Sequence, residues 1–474
     1  MTFPGIFLAA ISFAFFFVWG AFSLLSLQEK HFRAARIAGS LAIASLGAGI
    51  LPLVLPITLQ WVFAGLIAVA GILSFVLFFL PMAKTIPPSP EPKSRVDERT
   101  IMFARARLQP GTTEYHTYYQ LHPEHQAVDD AFRQNPGLLQ PTASFYAPLL
   151  AASSLGGFFL TEALRYAVDG PVAQNKTQQS PEKLTALIKN LARYHGALDV
   201  GICELQPYHV YTNIGRGTGE YGAPIHLDHR FAIAFTVEMA HEMINAGPRM
   251  PAVMESARQY AETGKIAVIL AAAIRALGYA ARAHIDGNYR LIVPLVAKDA
   301  GLGEIGRMGI LMTPRLGPRV RLAVVTTDLP LISDAPTWDP TVIDFCSHCN
   351  KCAVVCPSQA IPYGDRQSHE DGTLRWKLDA ERCYTYWTRV GTDCGRCMAV
   401  CPYAHADNVM HSLIRYGVQH SGAFRRAASW MDDVFYGKKP APHNSPRWIT
   451  TVIDLKENDA NHPHHHGAHN NSLE

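Results

Sequence analysis

Nine cysteines occur in this 474-residue chain, and eight of them fall in two sets. The first reads Cys346-x2-Cys349-x2-Cys352-x3-Cys356-Pro357. Two-residue gaps let a tight loop wrap three thiolates onto one iron–sulfur cube, while the fourth cysteine, ahead of a proline, serves a different cube. The second set is Cys383 followed by Cys394-x2-Cys397-x3-Cys401-Pro402. Eight thiolates are what two [4Fe–4S] clusters need. The crossing rule assigns Cys346, Cys349, Cys352 and Cys401 to one cluster, and Cys356, Cys383, Cys394 and Cys397 to the other. Cys383 departs from the plain bacterial run, because an eleven-residue step separates it from Cys394. Paired C-x2-C also suits zinc, but the two C-x3-C-P endings favour iron and sulfur. Cys203, alone in DVGICEL, reads as a small buried hydrophobe.

The chain that positions these cysteines begins with apolar segments. Residues 4–27 carry no charge, enough at helical rise to cross a hydrocarbon core. Residues 37–80 are also uncharged and are interrupted at Pro52, Pro56 and Gln60, so the expectation is two further spans, roughly 37–56 and 60–81. No basic residue precedes the first run, as a signal peptide would require, and no twin-arginine pair is there. Lys30, Arg33 and Arg36 lie between spans one and two, and Lys84, Lys93, Arg95 and Arg99 follow span three. The positive-inside rule then places both basic segments, and everything after residue 85, in the cytoplasm at the inner membrane. A reducing compartment suits cysteines as metal ligands. A net charge of +3 gives no reason to expect nucleic acid.

Pro and charge in residues 85–100 predict a hydrated linker. From 101 to 335, helix and strand signals interleave irregularly, which predicts α+β layers. PEKLTALIKNLARYHG carries Leu184, Leu187, Ile188 and Leu191 on one helical face, and LDVGICEL reads as a buried strand. A second helix is predicted over Thr263–Leu277, ending at Gly278, followed by strands in ARAHI, RLIVPLV and RVRLAVVTTDLPL. NIGRGTGEYG (213–222) does not open a helix after a strand, so it is no dinucleotide cradle. Low apolar content and many histidines predict a disordered tail over 457–474, either solvated or added for expression.

Residues 181–402 resemble the reductive dehalogenases, corrinoid and iron–sulfur enzymes that remove halide from organohalides. The likeness is carried by PEKLTALIKNLARYHGALDVGICEL, VEMAHEMINAGP, IRALGYAARAHIDGN and PLVAKDAGLGEIGRMGILMTPRLGPRVRLAVVTTDLPL, together with both cysteine sets. The resemblance implies a nitroreductase-like core holding a cobalamin-like corrinoid base-off, a state consistent with the lack of D-x-H-x-x-G. It further implies Tyr260 as proton donor, Asn288 beside it, and Arg321, in preference to Arg319, as the supporting cation. If the arginine segment is a strand, Arg321 shares a face with Arg319 and Ala323. A guanidinium beside the phenol would lower its pKa. Gly301, Gly303 and Gly306 would let backbone approach the corrin.

The fold expected is therefore α+β: a corrinoid-binding core (101–335) and a bacterial-ferredoxin-like two-cluster domain (336–412), preceded by three transmembrane helices (1–84). An extension (413–456) packs on the core. The function expected is membrane-anchored reductive dehalogenation, with electrons from a ferredoxin, a flavodoxin or the quinol pool. The alternatives are a corrinoid reductase of the epoxyqueuosine type and a membrane iron–sulfur relay with no substrate of its own. Family members with a respiratory role resemble exported enzymes with a separate anchor, whereas here the anchor is fused, so a catabolic role stands beside the respiratory one.

Overall fold

The structure is a computed structural model that describes residues 2–79, 86–335 and 338–451. The tail at 457–474 and Lys84 lie outside the described residues. Three helices open the chain: α1 (Phe3–Gln28), α2 (Phe32–Ile50) and α3 (Ile57–Phe79). Thr2 caps α1 with its hydroxyl, and Pro4 sits in its first turn, where a missing N–H costs nothing. Two of the three, α1 and α3, are long and apolar enough to cross a membrane. This corrects the expectation of three spans. Arg33 and Arg36 lie in the first turns of α2, so its uncharged part, Ile37–Ile50, is shorter than the roughly 20 residues a crossing needs. The apolar run instead ends in a short 3-10 turn at Leu51–Leu53.

Mixed helix and sheet follow, as expected. The core sheet is antiparallel, in the order β1 (Val200–Glu204), β2 (Phe231–Glu238), β6 (Val320–Thr327), β3 (Ala281–His284). A helix covers one face from Met250 to Ala276, beginning thirteen residues before the predicted start. Burial on nearly every side leaves its first half without an amphipathic stripe, which is why the sequence hides it. It packs with the sheet and the helix Pro181–Tyr194 around Leu184, Ile188, Ile233, Phe235, Leu270 and Val325. RLIVPLV is not a strand. Val293–Asp299 forms a helix with Pro294 in its first turn, and a short apolar run cannot tell the two apart. A small hairpin, β4 (Glu304–Ile305) with β5 (Leu311–Met312), leads to the cysteine segment.

The stretch 86–100 is not a free linker. Glu98 is completely buried, bonded to the Gly215 N–H at 2.9 Å and to Arg216 Nε at 3.0 Å, and Arg95 donates to the carbonyls of Val210 and Ile225. The helices Val409–His420 and Gly422–Tyr436 lie between the cysteine segment and the first three helices. Phe435 stacks on Trp19, and Phe424 meets Phe78 edge-on.

Candidate functional site

The cysteines sit on short helices joined by left-handed turns. Pro340–Cys349 carries Cys346 and Cys349, Asn350 turns at φ +52°, and Lys351–Val355 presents Cys352. Cys394 and Gly395 turn the same way at φ +59° and +64°, ahead of the helix that bears Cys397. No cysteine is disulfide-bonded. The Cys401 thiol is pushed well above its ordinary range by burial and then by the sulfurs of Cys346, Cys349 and Cys352. Cys397 is pushed up by burial and then by Cys394, Cys383, Cys352 and Cys356. Cys401 thus lies near Cys346, Cys349 and Cys352, and Cys383 lies near Cys397 despite its distance in sequence, while Cys352 of the other set also approaches Cys397. Buried sulfurs that repel one another need a cationic core to exist as thiolates, which fits metal ligation.

The cysteine sets are spaced more widely than the ligands of a zinc ion. Four sulfurs around zinc sit about 3.8 Å apart for a bond of about 2.3 Å. Among the described residues only His122, Glu124 and His125 bring three ligand atoms within 4.8 Å of one another, so the cysteine quartets are more open than a zinc tetrahedron. Two buried cations flank the first quartet. Arg307 is 1% exposed, donates Nε and Nη2 to the Cys346 carbonyl at 3.0 and 2.7 Å, and lies over the Trp376 ring. Lys351, equally buried, pairs with Asp432. Sequence spacing gave no sign of either.

The resemblance-derived residues divide. Arg321, on β6 opposite Val237, places its guanidinium 4.5 Å from the centroid of the Tyr260 ring. Its Nη2 donates to Ser256 and, at 3.2 Å, to Asp393, the residue before Cys394. Arg319 bonds instead to Glu238, the Met239 carbonyl and the Ala404 carbonyl, as a structural arginine would. The expected fall in the Tyr260 pKa is reversed. Burial raises it, and the opposing pull of Arg321 is the smaller effect. Asn288 is completely buried with both ends of its amide engaged: Oδ1 accepts from Arg282 at 2.9 Å, and Nδ2 donates to the Arg165 carbonyl and to Thr218 Oγ1. No hydrogen bond described for it reaches Tyr260 or Arg321. Its neighbour Tyr289, which sequence reasoning missed, interacts electrostatically with both.

Two of the three glycines lie close against β5. A Cβ on Gly303 would stand 2.2 Å from the Met312 carbonyl oxygen, and one on Gly306 would stand 2.8 Å from Met312 Cγ and 3.6 Å from Cys346 Sγ. The space their side chains would take is filled by Met312 of β5. Gly301 turns at φ +77° after the helix Val293–Asp299. Cys203 is buried beside the Val296 carbonyl, with its thiol pushed up to about 12, as a small hydrophobe would be.

A 4Fe-4S dicluster domain model matches residues 345–405. The tetrachloroethene reductive dehalogenase of Sulfurospirillum multivorans is 32% identical over 320 residues, covering 60% of this chain and 62% of that protein. The solved structure of the catabolic reductive dehalogenase NpRdhA superposes with a TM-score of 0.62 at 27% identity, over 76% of this chain and 49% of that one. Over these lengths the chain is similar to the reductive dehalogenases in sequence and fold. It spans less than two thirds of the length of these relatives. Epoxyqueuosine reductase of a Synechococcus strain is more distant, at 28% over 156 residues.

Within a reductive dehalogenase fold, the surroundings of Tyr260 have the chemistry to hold a polar macrocycle. Arg321 Nε and Asp393 Oδ1 are buried and lack a hydrogen-bond partner. Orphaned donors and acceptors of this kind cost about 1–3 kcal/mol each unless a bound group satisfies them. Asp393 is next in sequence to Cys394 of the second set.

Proposed function

We propose that this chain is a membrane-anchored reductive dehalogenase that replaces the halogen of an organohalide by hydrogen. The observation that carries the reading is the Tyr260–Arg321 pair, joined through Asp393 to the second cysteine quartet. In this reading Cys346, Cys349, Cys352 and Cys401 hold one [4Fe–4S] cluster, and Cys356, Cys383, Cys394 and Cys397 hold the other. The nitroreductase-like core of 101–335 would hold a corrinoid beside Tyr260, consistent with the B12-dependent dehalogenation named for one structural relative. A corrinoid bound there supplies a low-potential cobalt nucleophile for the carbon–halogen bond.

The chain's own residues manage the proton. Tyr260 Oη donates it to the carbon that loses halide, and burial keeps the phenol protonated until that moment. Arg321, held by Ser256 and Asp393, stabilises the tyrosinate that results. Asn288 is a positioning residue that fixes the loop at Thr218 and the start of Tyr289. Gly303 and Gly306 set β4–β5 against Cys346. The helices α1 and α3 anchor the chain in the inner membrane with residues after 85 facing the cytoplasm, and an external donor feeds the clusters.

Anaerobic, reconstituted protein with a viologen reductant and a panel of organohalides tests this. Expected are about eight irons and one corrinoid per chain, with halide release. Eight irons with no corrinoid and no halide would leave only an electron relay.

A further inference from the structure

Between α1 and the cysteine segment the structure contains a cavity of about 260 Å³. Its apolar wall is made by Trp19 and Phe22 of α1 and by Phe435, whose ring stacks on Trp19 at 5.7 Å and meets Phe22 edge-on at 5.4 Å. Its polar end is made by His411 and Arg415, which are 7% and 8% exposed. His411 Nδ1 and Arg415 Nη1 have no hydrogen-bond partner. His411 Nε2 is bonded to Tyr436 Oη at 3.0 Å, and Nδ1 lies 3.9 Å from Glu29, whose second oxygen is also unpartnered. Phe345 and Pro402, further along the wall, are covalently joined to Cys346 and Cys401.

An apolar chamber lined by a membrane-type helix, with an unsatisfied donor and acceptor at its polar end and the sequence neighbours of two cluster cysteines in its wall, suits an amphipathic carrier with two ring oxygens. We propose that this cavity binds the head group of a membrane quinol and passes its electrons to the cluster held by Cys346, Cys349, Cys352 and Cys401. The inference rests on the cluster reading above and on α1 lying in the bilayer. Arg415 Nη1 donates to one ring oxygen and His411 Nδ1 accepts from the other. The quinol loses two O–H protons and two electrons. The electrons enter the cluster one at a time, and the protons leave by His411 and Glu29 to water. Cleavage of one carbon–halogen bond then takes up both electrons and one proton and releases halide, so the two half-reactions balance.

The test uses the full chain with reconstituted clusters in lipid nanodiscs, reduced by dithionite and freed of excess reductant. Decylubiquinone is the probe, since a quinol site also works in reverse, and the visible absorbance of the clusters is the readout. Saturable reoxidation that falls by about tenfold or more in Ala428→Trp, which fills the cavity, and in His411→Ala supports the site. Leu66→Trp, on an exposed face of α3, reoxidises at the wild-type rate. Iron content checks that each variant is folded and loaded. Reoxidation that does not saturate, or that runs equally fast in loaded His411→Ala, overturns the site. Viologen-driven halide release is measured on the same samples: its loss with the quinone response intact refutes the dehalogenase reading alone, and the opposite pattern refutes the quinol site alone.

Discussion

At Tyr260 two effects oppose each other, and burial prevails. Arg321 at 4.5 Å pulls the phenol down, yet removal from water pushes it up by more. A tyrosine raised above its ordinary value of about 10 keeps its proton at all lower pH. The alkaline limb of halide release is therefore expected above about pH 10, with a flat profile through neutrality. Tyr260→Phe should keep iron and corrinoid and lose about 100-fold or more of halide release, the usual size of a general-acid effect; unchanged turnover would remove it from the mechanism. Arg321→Ala removes the larger downward pull on the phenol, leaving that of Arg216, and leaves Asp393 buried without its cation. Both a slower rate and a lower denaturation midpoint are expected, readable in one preparation.

At the scale of the element, β4–β5 shows how neighbouring glycines carry different costs. The atom a Gly303 side chain would strike is backbone, the Met312 carbonyl at 2.2 Å. For Gly306 it is the Met312 side chain, Cγ at 2.8 Å and Sδ at 3.3 Å, which can turn where a carbonyl cannot. Gly303→Ala should cost about 2–4 kcal/mol in urea unfolding, and Gly306→Ala under about 1.5 kcal/mol. Equal losses would mean that Met312 is as rigid as the strand it sits on. The long helix makes the same point about burial. Gly264 lies mid-helix where a Cβ would come 3.2 Å from Leu164, so the absence of a side chain there lets the helices Pro148–Leu164 and Met250–Ala276 approach.

Across the whole molecule, the loop between α1 and α2 is joined to the rest through histidines. His31 lies 4.7 Å from His443, 4.9 Å from Tyr436, 5.8 Å from His241 and 5.9 Å from His405, ring centre to ring centre. Burial first, and then the other histidines, push His31 and His411 down to about 2; burial and then Arg319 push His241 down to about 3. A group whose folded pKa is depressed contributes stability above its unfolded value, about 6.5 for histidine, and that contribution is lost as pH falls. The thermal midpoint should begin to drop below about pH 7.5 and keep falling towards about pH 3. His31→Leu should flatten that slope in a scan of cluster-loaded protein, and an unchanged slope would place the acid sensitivity elsewhere.

The two-cluster cysteine motif was legible in the sequence, because ligand spacing is local chemistry. So were α1, α3, β1, β3 and β6, whose apolar runs have a period or a length that solvent alone selects. Other features depend on residues far apart in the chain. Ser256 and Asp393 converge on Arg321 across 137 positions, and Glu98 finds Arg216 across 118, so neither leaves a mark in local pattern. The start of the long helix at Met250 was hidden because burial on all sides erases periodicity. Whether Tyr260 loses or keeps its proton was decided by the tertiary structure alone: composition names the phenol and the guanidinium, but only the fold sets how much water each has lost.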